Sequence, residues 1–188
     1  PGAGGLVAVD WWNGSRTPLV NADLSAGVAG LTLRTGPAEI FRCIVEATAY
    51  GTRQVIERLE SGQGMEDVDE LRVCGGLTKS AILMQIYADV TGKRLHASPT
   101  PHASARGAAI YGALAAGGRN GGYDTPSDAL THMGVQEFHE YRPEPQAHAR
   151  YGMLYDLYRE LHRHFGEGGT GLLHRLHALR TEDLSRSA

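Results

Sequence analysis

The sequence predicts an α/β layer fold, because segments typical of short strands alternate along the chain with segments typical of helices. Two long stretches, Ala38 to about Ser61 and Ala147 to about Phe165, carry apolar residues at helical spacing. Between them, residues 70–92 have the pattern of a strand, a glycine turn and a helix. No repeat of fixed period and no internal boundary is visible, so we expect a single domain over 1–188.

The N-terminal part is predicted to begin with a strand, Gly5–Trp12, and a turn at residues 13–18 that is rich in Asn, Gly, Ser and Pro. A loop of small residues at 21–33, with a short helix or turn, leads to the first long helix. Pro37 and Glu39 favour the start of that helix, since proline suits its first position and an acidic side chain suits its first turn. Two apolar stripes follow: Ile40, Ile44, Ala47, Gly51 and Val55, and Phe41, Val45, Thr48 and Ile56.

Gly51 lies inside this predicted helix, where glycine costs roughly 1 kcal/mol relative to alanine. Its neighbours at 47–49 are also small. We therefore expect another element to pack closely against the middle of the helix.

The stretch from Glu70 to Gly92 is the one around which the chain is organised. Leu71, Val73 and Cys74 predict a short buried strand, and two glycines then allow a sharp turn. A helix follows from Ser80, with Gly92 as its C-terminal stop and with apolar residues at helical spacing, namely Ile82, Leu83, Ile86, Tyr87 and Val90.

A turn of this kind brings free N–H groups and the positive end of a helix dipole together, which suits a nucleotide. An ordinary strand–helix turn with nothing bound has the same pattern, so the residues alone leave both interpretations open. A P-loop is excluded, because Val73 and Thr78 stand where its glycines are required. Lys79 is accordingly interpreted as a solvated lysine.

The remainder continues the alternation, with a strand at Lys93–Ser98 and a helix at Ala105–Ala116. The second of these consists almost entirely of small residues, which predicts that it is buried against other backbone. Residues 125–128 are a capping pattern for a short helix to about Met133. Residues 138–146 are predicted to be extended, and a short helix is expected around Leu172–Leu179 in the tail.

Composition narrows the class of protein. The net charge of −3 provides no basic surface for nucleic acid or anionic membranes, and no apolar run approaches the ~20 residues of a membrane span. Cys43 and Cys74 are interpreted as reduced core residues of a cytoplasmic protein. No signal peptide is visible. The chain begins at Pro1 in loop-like sequence, so we expect it to be a piece of a longer protein.

Side chains that could carry chemistry are few. No nucleophile elbow occurs, and the nine histidines lack partners at ligand spacing, so we predict no metal site and interpret them as a solvated helix face. Asp10, Glu46 and Asp89 are candidate bases, and solvated or paired carboxylates are the ordinary interpretation of the last two. Asp10, Trp11 and Trp12 would form either a ligand wall or a plug at the edge of the core.

Four blocks of sequence resemble the C-terminal domain of the FGGY carbohydrate kinases. They cover residues 9–18, 26–46, 75–92 and 105–109, and the tail at 158–177 is similar as well. The DWWNG within the first block is most like the members of the family that act on L-ribulose. In the second block the matching residues are Gly30, Leu31, Glu39, Ile40, Ile44, Val45 and Glu46.

The resemblance implies an actin-like, ribonuclease H-like lobe that binds ATP across a cleft from a sugar-binding lobe. Gly75, Gly76 and Ser80 match the family's adenosine motif. It implies that the backbone of Gly76 and the side chain of Ser80 contact the nucleotide, while Gly75 and Leu77 shape the pocket. Two positions depart from the family pattern, since Cys43 replaces alanine or serine and Ser80 replaces the asparagine of many members.

The implied reaction is phosphoryl transfer from ATP, with Mg²⁺, to a ketopentose hydroxyl in the cytoplasm. The family's catalytic aspartate and phosphate-binding loops match no residue here, so the resemblance implies no catalytic residue in this chain and a sugar partner bound through an absent N-terminal lobe. The alternatives are another sugar or polyol kinase, such as one acting on xylulose, and a non-catalytic domain for nucleotide sensing. Exposed apolar surface is expected, and with it a homo-oligomer stays open.

Overall fold

The computed structural model describes residues 1–2, 4–62, 66–100, 102–168 and 171–186. They form two compact units. The first unit comprises 1–68, 89–92 and 143–188, and the second comprises 69–88 and 93–142. In chain order the elements are β1 (Val7–Val9), β2 (Gly27–Ala29), α1 (Pro37–Glu60), β3 (Glu70–Val73), α2 (Ala81–Thr91), β4 (Arg94–Ala97), α3 (Ala103–Ala116), α4 (Pro126–Met133), β5 (His139–Tyr141), α5 (Pro145–Gly166) and α6 (Leu172–Arg186).

Helix α1 begins where the sequence predicts. Its first turn contains Pro37, and the backbone N–H of Gly36 donates a hydrogen bond of 2.8 Å to Glu39 Oε2. That bond satisfies a donor which the helix itself cannot pair. The predicted apolar stripes are confirmed in part. Ala47 and Ile56 are buried, but the prediction that Phe41 faces the core is wrong, since 66% of this residue is exposed.

Close packing at Gly51 is confirmed. A Cβ atom placed on Gly51 would lie 2.9 Å from Cγ of Asp10, which is closer than real Cβ contacts come. The carboxyl group of Asp10, at the end of β1, therefore occupies the space that a side chain at position 51 would need.

The core of the first unit is built on tyrosines. Tyr50 of α1 is 2% exposed and packs against three tyrosines of α5, with ring centroids 5.4 to 6.2 Å apart. The α5 rings belong to Tyr151, Tyr155 and Tyr158. Each of these three hydroxyls donates to a carboxylate from another element, so every buried polar end of α5's tyrosines has a partner.

The second unit holds a three-stranded sheet. Strand β4 lies between the other two, parallel to β3, with Leu71 opposite Leu95, and antiparallel to β5, with Leu95 opposite Tyr141. The parallel pair is joined through α2, the crossover that a parallel connection requires. The N–H of Ser98 donates to the carbonyl of Val73 at 2.8 Å and extends this pairing past the end of β4.

Three expectations are wrong in the second unit. Strand β3 is half exposed, and Cys74 is exposed, whereas Cys43 lies in the core as predicted. None of the residues of α3 is buried, although its small side chains predict close packing. Small side chains permit a close approach, but the described part of the chain supplies no element that covers this helix.

The shorter elements are mostly confirmed. The hydroxyl oxygen of Thr125 accepts the N–H of Asp128 at 3.2 Å, which caps α4 as the sequence predicts. The tail helix α6 is longer than expected, and β2 lies in a stretch that the sequence predicts to be a loop, helix or turn. Its backbone pairs with β1, from Val7 opposite Ala29 to Val9 opposite Gly27.

Candidate functional site

The candidate site is the turn between β3 and α2. The strand ends at Val73, and Gly75 then adopts φ 101° and ψ −167°. This conformation is essentially restricted to glycine. A single 3₁₀ turn, Gly76–Lys79, leads from there to Ser80 and into α2.

Hydrogen bonds within the turn fix its shape. The carbonyl of Gly75 accepts the N–H of Thr78 at 3.3 Å and the hydroxyl of Thr78 at 2.9 Å. The N–H of Ser80 donates to the carbonyl of Leu77 at 3.1 Å. The turn is therefore held by its own groups before any ligand is considered.

Ser80 begins α2 in addition to its predicted contact with a nucleotide. Its carbonyl accepts the N–H of Met84 at 3.1 Å, and its hydroxyl oxygen accepts the N–H of Leu83 at 3.4 Å. These are the bonds of a helix N-cap, a role that serine commonly plays and that sequence analysis missed. Because the cap uses a lone pair of the oxygen, the hydroxyl proton is left for another acceptor.

The glycines of the turn face open space. A Cβ atom placed on Gly75 or on Gly76 would meet no described heavy atom within 4 Å, and Leu77 beside them is 48% exposed. A ligand can therefore approach this backbone directly. The N-terminal N–H groups of α2 and its helix dipole favour an electron-rich group there.

The two glycines should respond differently to alanine. We expect Gly75→Ala to lower the free energy of unfolding by about 1–3 kcal/mol, because its backbone conformation is strained for any residue with a Cβ. Gly76→Ala should be neutral or slightly stabilising, since it meets open space and its φ is not positive. Urea unfolding of both variants measures the difference, and equal free energies of unfolding would contradict the turn geometry.

Two of the three candidate bases have structural partners. Glu46 is 1% exposed and accepts hydrogen bonds from Arg42 Nε and from the hydroxyl of Tyr151, both at 2.8 Å. Asp89 accepts the N–H of Glu144, the residue that precedes α5, at 2.8 Å. The interpretation of these two carboxylates as paired is confirmed.

Asp10 lies among the residues predicted to form either a ligand wall or a core plug. Burial raises the pKa of its carboxyl group, although the hydrogen bond from the hydroxyl of Tyr158, at 3.0 Å, opposes that shift. Trp11 is 3% exposed and plugs the core, whereas Trp12 is 53% exposed. The two neighbouring tryptophans therefore divide the two interpretations between them.

The histidines are only partly a solvated face. His162 is 1% exposed, with the ring of Trp11 edge-on at 5.0 Å, and burial lowers its pKa. For this residue the solvated interpretation is wrong. Within the described residues, no group of three or more His, Cys, Asp or Glu side chains is arranged to hold a metal ion.

The N-terminal 116 residues carry the decisive likeness. The sequence profile of the FGGY family of carbohydrate kinases, C-terminal domain, matches residues 1–116. The chain belongs to the FGGY family of carbohydrate kinases. The resemblance expected from the four sequence blocks is thereby confirmed.

Individual FGGY relatives extend the likeness to nearly the whole chain. The ribulokinase of Bacillus licheniformis is 48% identical over 167 residues, which are 88% of this chain and 30% of that protein. The ribulokinase of Anoxybacillus flavithermus is 46% identical over 178 residues, 94% of this chain and 31% of that protein. The chain thus spans about a third of the length of the curated relatives it matches.

The fold is also that of an FGGY kinase. The structure is similar to that of ligand-bound xylulose kinase from Lactobacillus acidophilus, with a TM-score of 0.71 and 22% identity over 86% of this chain and 31% of that chain. The predicted fold class, an α/β lobe of the actin-like type, is confirmed. Among the described residues, no helix has the length and apolar character needed to cross a membrane.

Proposed function

We propose that this chain is the nucleotide-binding part of a kinase that transfers the γ-phosphoryl group of ATP to L-ribulose. The observation that carries the proposal is the 48% identity with the Bacillus licheniformis ribulokinase over 88% of the chain. Two further relatives described as ribulokinases, from Geobacillus thermodenitrificans and Halalkalibacterium halodurans, share 44% and 43% identity with it.

We propose the turn at residues 75–80 as the site of the adenosine part of ATP. In this site the backbone of Gly76 approaches the nucleotide and the hydroxyl of Ser80 donates a hydrogen bond to it. The open space at Gly76 supports the first contact, and the unused proton of Ser80 supports the second. Gly75 supplies the bend that presents both groups.

Phosphoryl transfer also needs charge neutralisation by a metal, a base for the attacking hydroxyl and closure over the reacting groups. The described residues offer no cluster suited to Mg²⁺, and the candidate bases Glu46 and Asp89 are already paired. We therefore place the metal-binding, catalytic and sugar-binding groups in a further lobe, with residues 1–188 as a single nucleotide lobe. Both free cysteines suit a reducing compartment, and we propose the cytoplasm.

A chimera tests the function. This chain would replace the matching stretch of the Bacillus licheniformis ribulokinase, and ADP release would be followed with a panel of ketopentoses and polyols. We expect turnover that depends on L-ribulose in the chimera and none from the 188-residue chain alone, because the catalytic groups lie outside it.

The matched control is the same chimera with Gly76→Val, which should remain folded without releasing ADP. Turnover by the isolated chain would overturn our placement of the catalytic groups. A folded chimera that turns over none of the sugars would favour a non-catalytic nucleotide-sensing domain.

A further inference from the structure

A second cavity in the first unit lies well apart in sequence from the turn at residues 75–80. It has a volume of about 440 Å³, and its walls are the loop at residues 10–17 and one face of α1 around Thr48, Thr52 and Val55. That volume is within the ~300–1,000 Å³ range of small-molecule sites in proteins. The cavity is formed entirely within one unit.

Asp10 supplies an acceptor at this cavity. One oxygen of its carboxyl group is held by the hydroxyl of Tyr158 at 3.0 Å, which fixes the orientation of the group. The missing side chain at Gly51 leaves room for the carboxyl group against α1. Glycine at position 51 therefore serves the placement of this acceptor as well as the packing of the helix.

The loop that carries the other wall is rigid. Ser15 and Asn21 exchange two backbone hydrogen bonds, each 2.8 Å long. Gly14 has φ 75°, and a Cβ atom on it would lie 2.9 Å from the carbonyl oxygen of Ala22, so the loop closes tightly at this point. The half-exposed ring of Trp12 is thereby held at the cavity while its neighbour Trp11 anchors the loop in the core.

One polar group in this wall is unused. The hydroxyl of Ser15, a residue that is 3% exposed and lines the cavity, has no hydrogen-bond partner among the described residues. A buried hydroxyl without a partner costs free energy, and native structures rarely leave one in that state.

We propose that this cavity binds a small polyhydroxylated molecule, a pentose or a pentitol. The Asp10 carboxylate accepts hydrogen bonds from ligand hydroxyls, Thr52 and Ser15 offer hydroxyl groups, and the Trp12 ring covers an apolar face. This goes beyond the proposed function, which assigns the sugar to a lobe outside this chain. It does not depend on nucleotide binding.

Titration of the 188-residue chain with ribitol and with L-ribulose tests the proposal, with calorimetry as the readout and tryptophan fluorescence as a second signal. We expect saturable binding of at least one of the two, weakened at least tenfold by Trp12→Ala. Phe41→Ala is the matched control, because Phe41 is similarly exposed on α1 and does not line the cavity.

Thr52→Val removes a lining hydroxyl at constant shape and is the second variant if Trp12→Ala fails to fold. It should weaken binding severalfold with an unchanged circular dichroism spectrum. No binding of either probe by the folded chain, or binding that both variants leave intact, would overturn the proposal. ADP titrated into the same sample separates the two sites, since the failure of one leaves the other measurable.

Discussion

Truncation of Tyr50 to alanine is expected to lower the free energy of unfolding by about 3–5 kcal/mol, the usual cost of removing a buried aromatic ring. Tyr50 is 2% exposed and contacts the rings of Tyr151, Tyr155 and Tyr158, so its loss leaves a cavity between α1 and α5. Urea unfolding followed by circular dichroism measures the change.

Tyr50→Phe is the matched control and should behave in the opposite way. The hydroxyl of Tyr50 is buried and has no hydrogen-bond partner among the described residues, and burial raises its pKa strongly. Removal of an unpaired polar group costs nothing in lost bonds, so the phenylalanine variant should be as stable as the wild type or more stable. A loss of 1 kcal/mol or more would mean that the hydroxyl has a partner and that the packing described for this core is wrong.

Gly76→Val is expected to weaken ADP binding on the order of 100-fold or more, which corresponds to roughly 2.7 kcal/mol or more. The wild-type residue presents bare backbone to open space, so a branched side chain would occupy the volume through which the nucleotide approaches. The same open space means that valine disturbs no described neighbour, and the variant should remain folded.

Two controls separate direct contact from damage to the fold. Lys79→Ala removes an exposed side chain of the same turn and should bind ADP nearly as well as the wild type, because the P-loop role is excluded. Ser80→Ala should lose both the contact with the nucleotide and the cap of α2, so its free energy of unfolding is measured beside its affinity. Unchanged ADP affinity in Gly76→Val would remove the turn from the site.

Sequence periodicity predicts the long helices because their signal is local. The apolar spacing in α1, α2 and α5 and the proline at the start of α1 depend only on neighbours within a turn or two. The turn at Gly75 could be predicted for the same reason, since glycine is the residue that tolerates its conformation.

Features that depend on distant partners could not be predicted in this way. Strand β2 exists because its backbone pairs with β1 some twenty residues earlier, and its own sequence is weakly strand-like. Phe41 and Cys74 are apolar at positions where no described element covers them. The Ser80 cap had a recognisable signal, a serine directly before a helix, but the resemblance to a nucleotide motif directed attention elsewhere.

Calorimetric titration of ADP with Mg²⁺ into the folded 188-residue chain tests the central claim most directly, namely that this chain carries a nucleotide site at residues 75–80. The account predicts saturable binding with about one ADP per chain, because the turn is already held by its own hydrogen bonds. An absence of binding by a chain with the expected helical circular dichroism spectrum would contradict it.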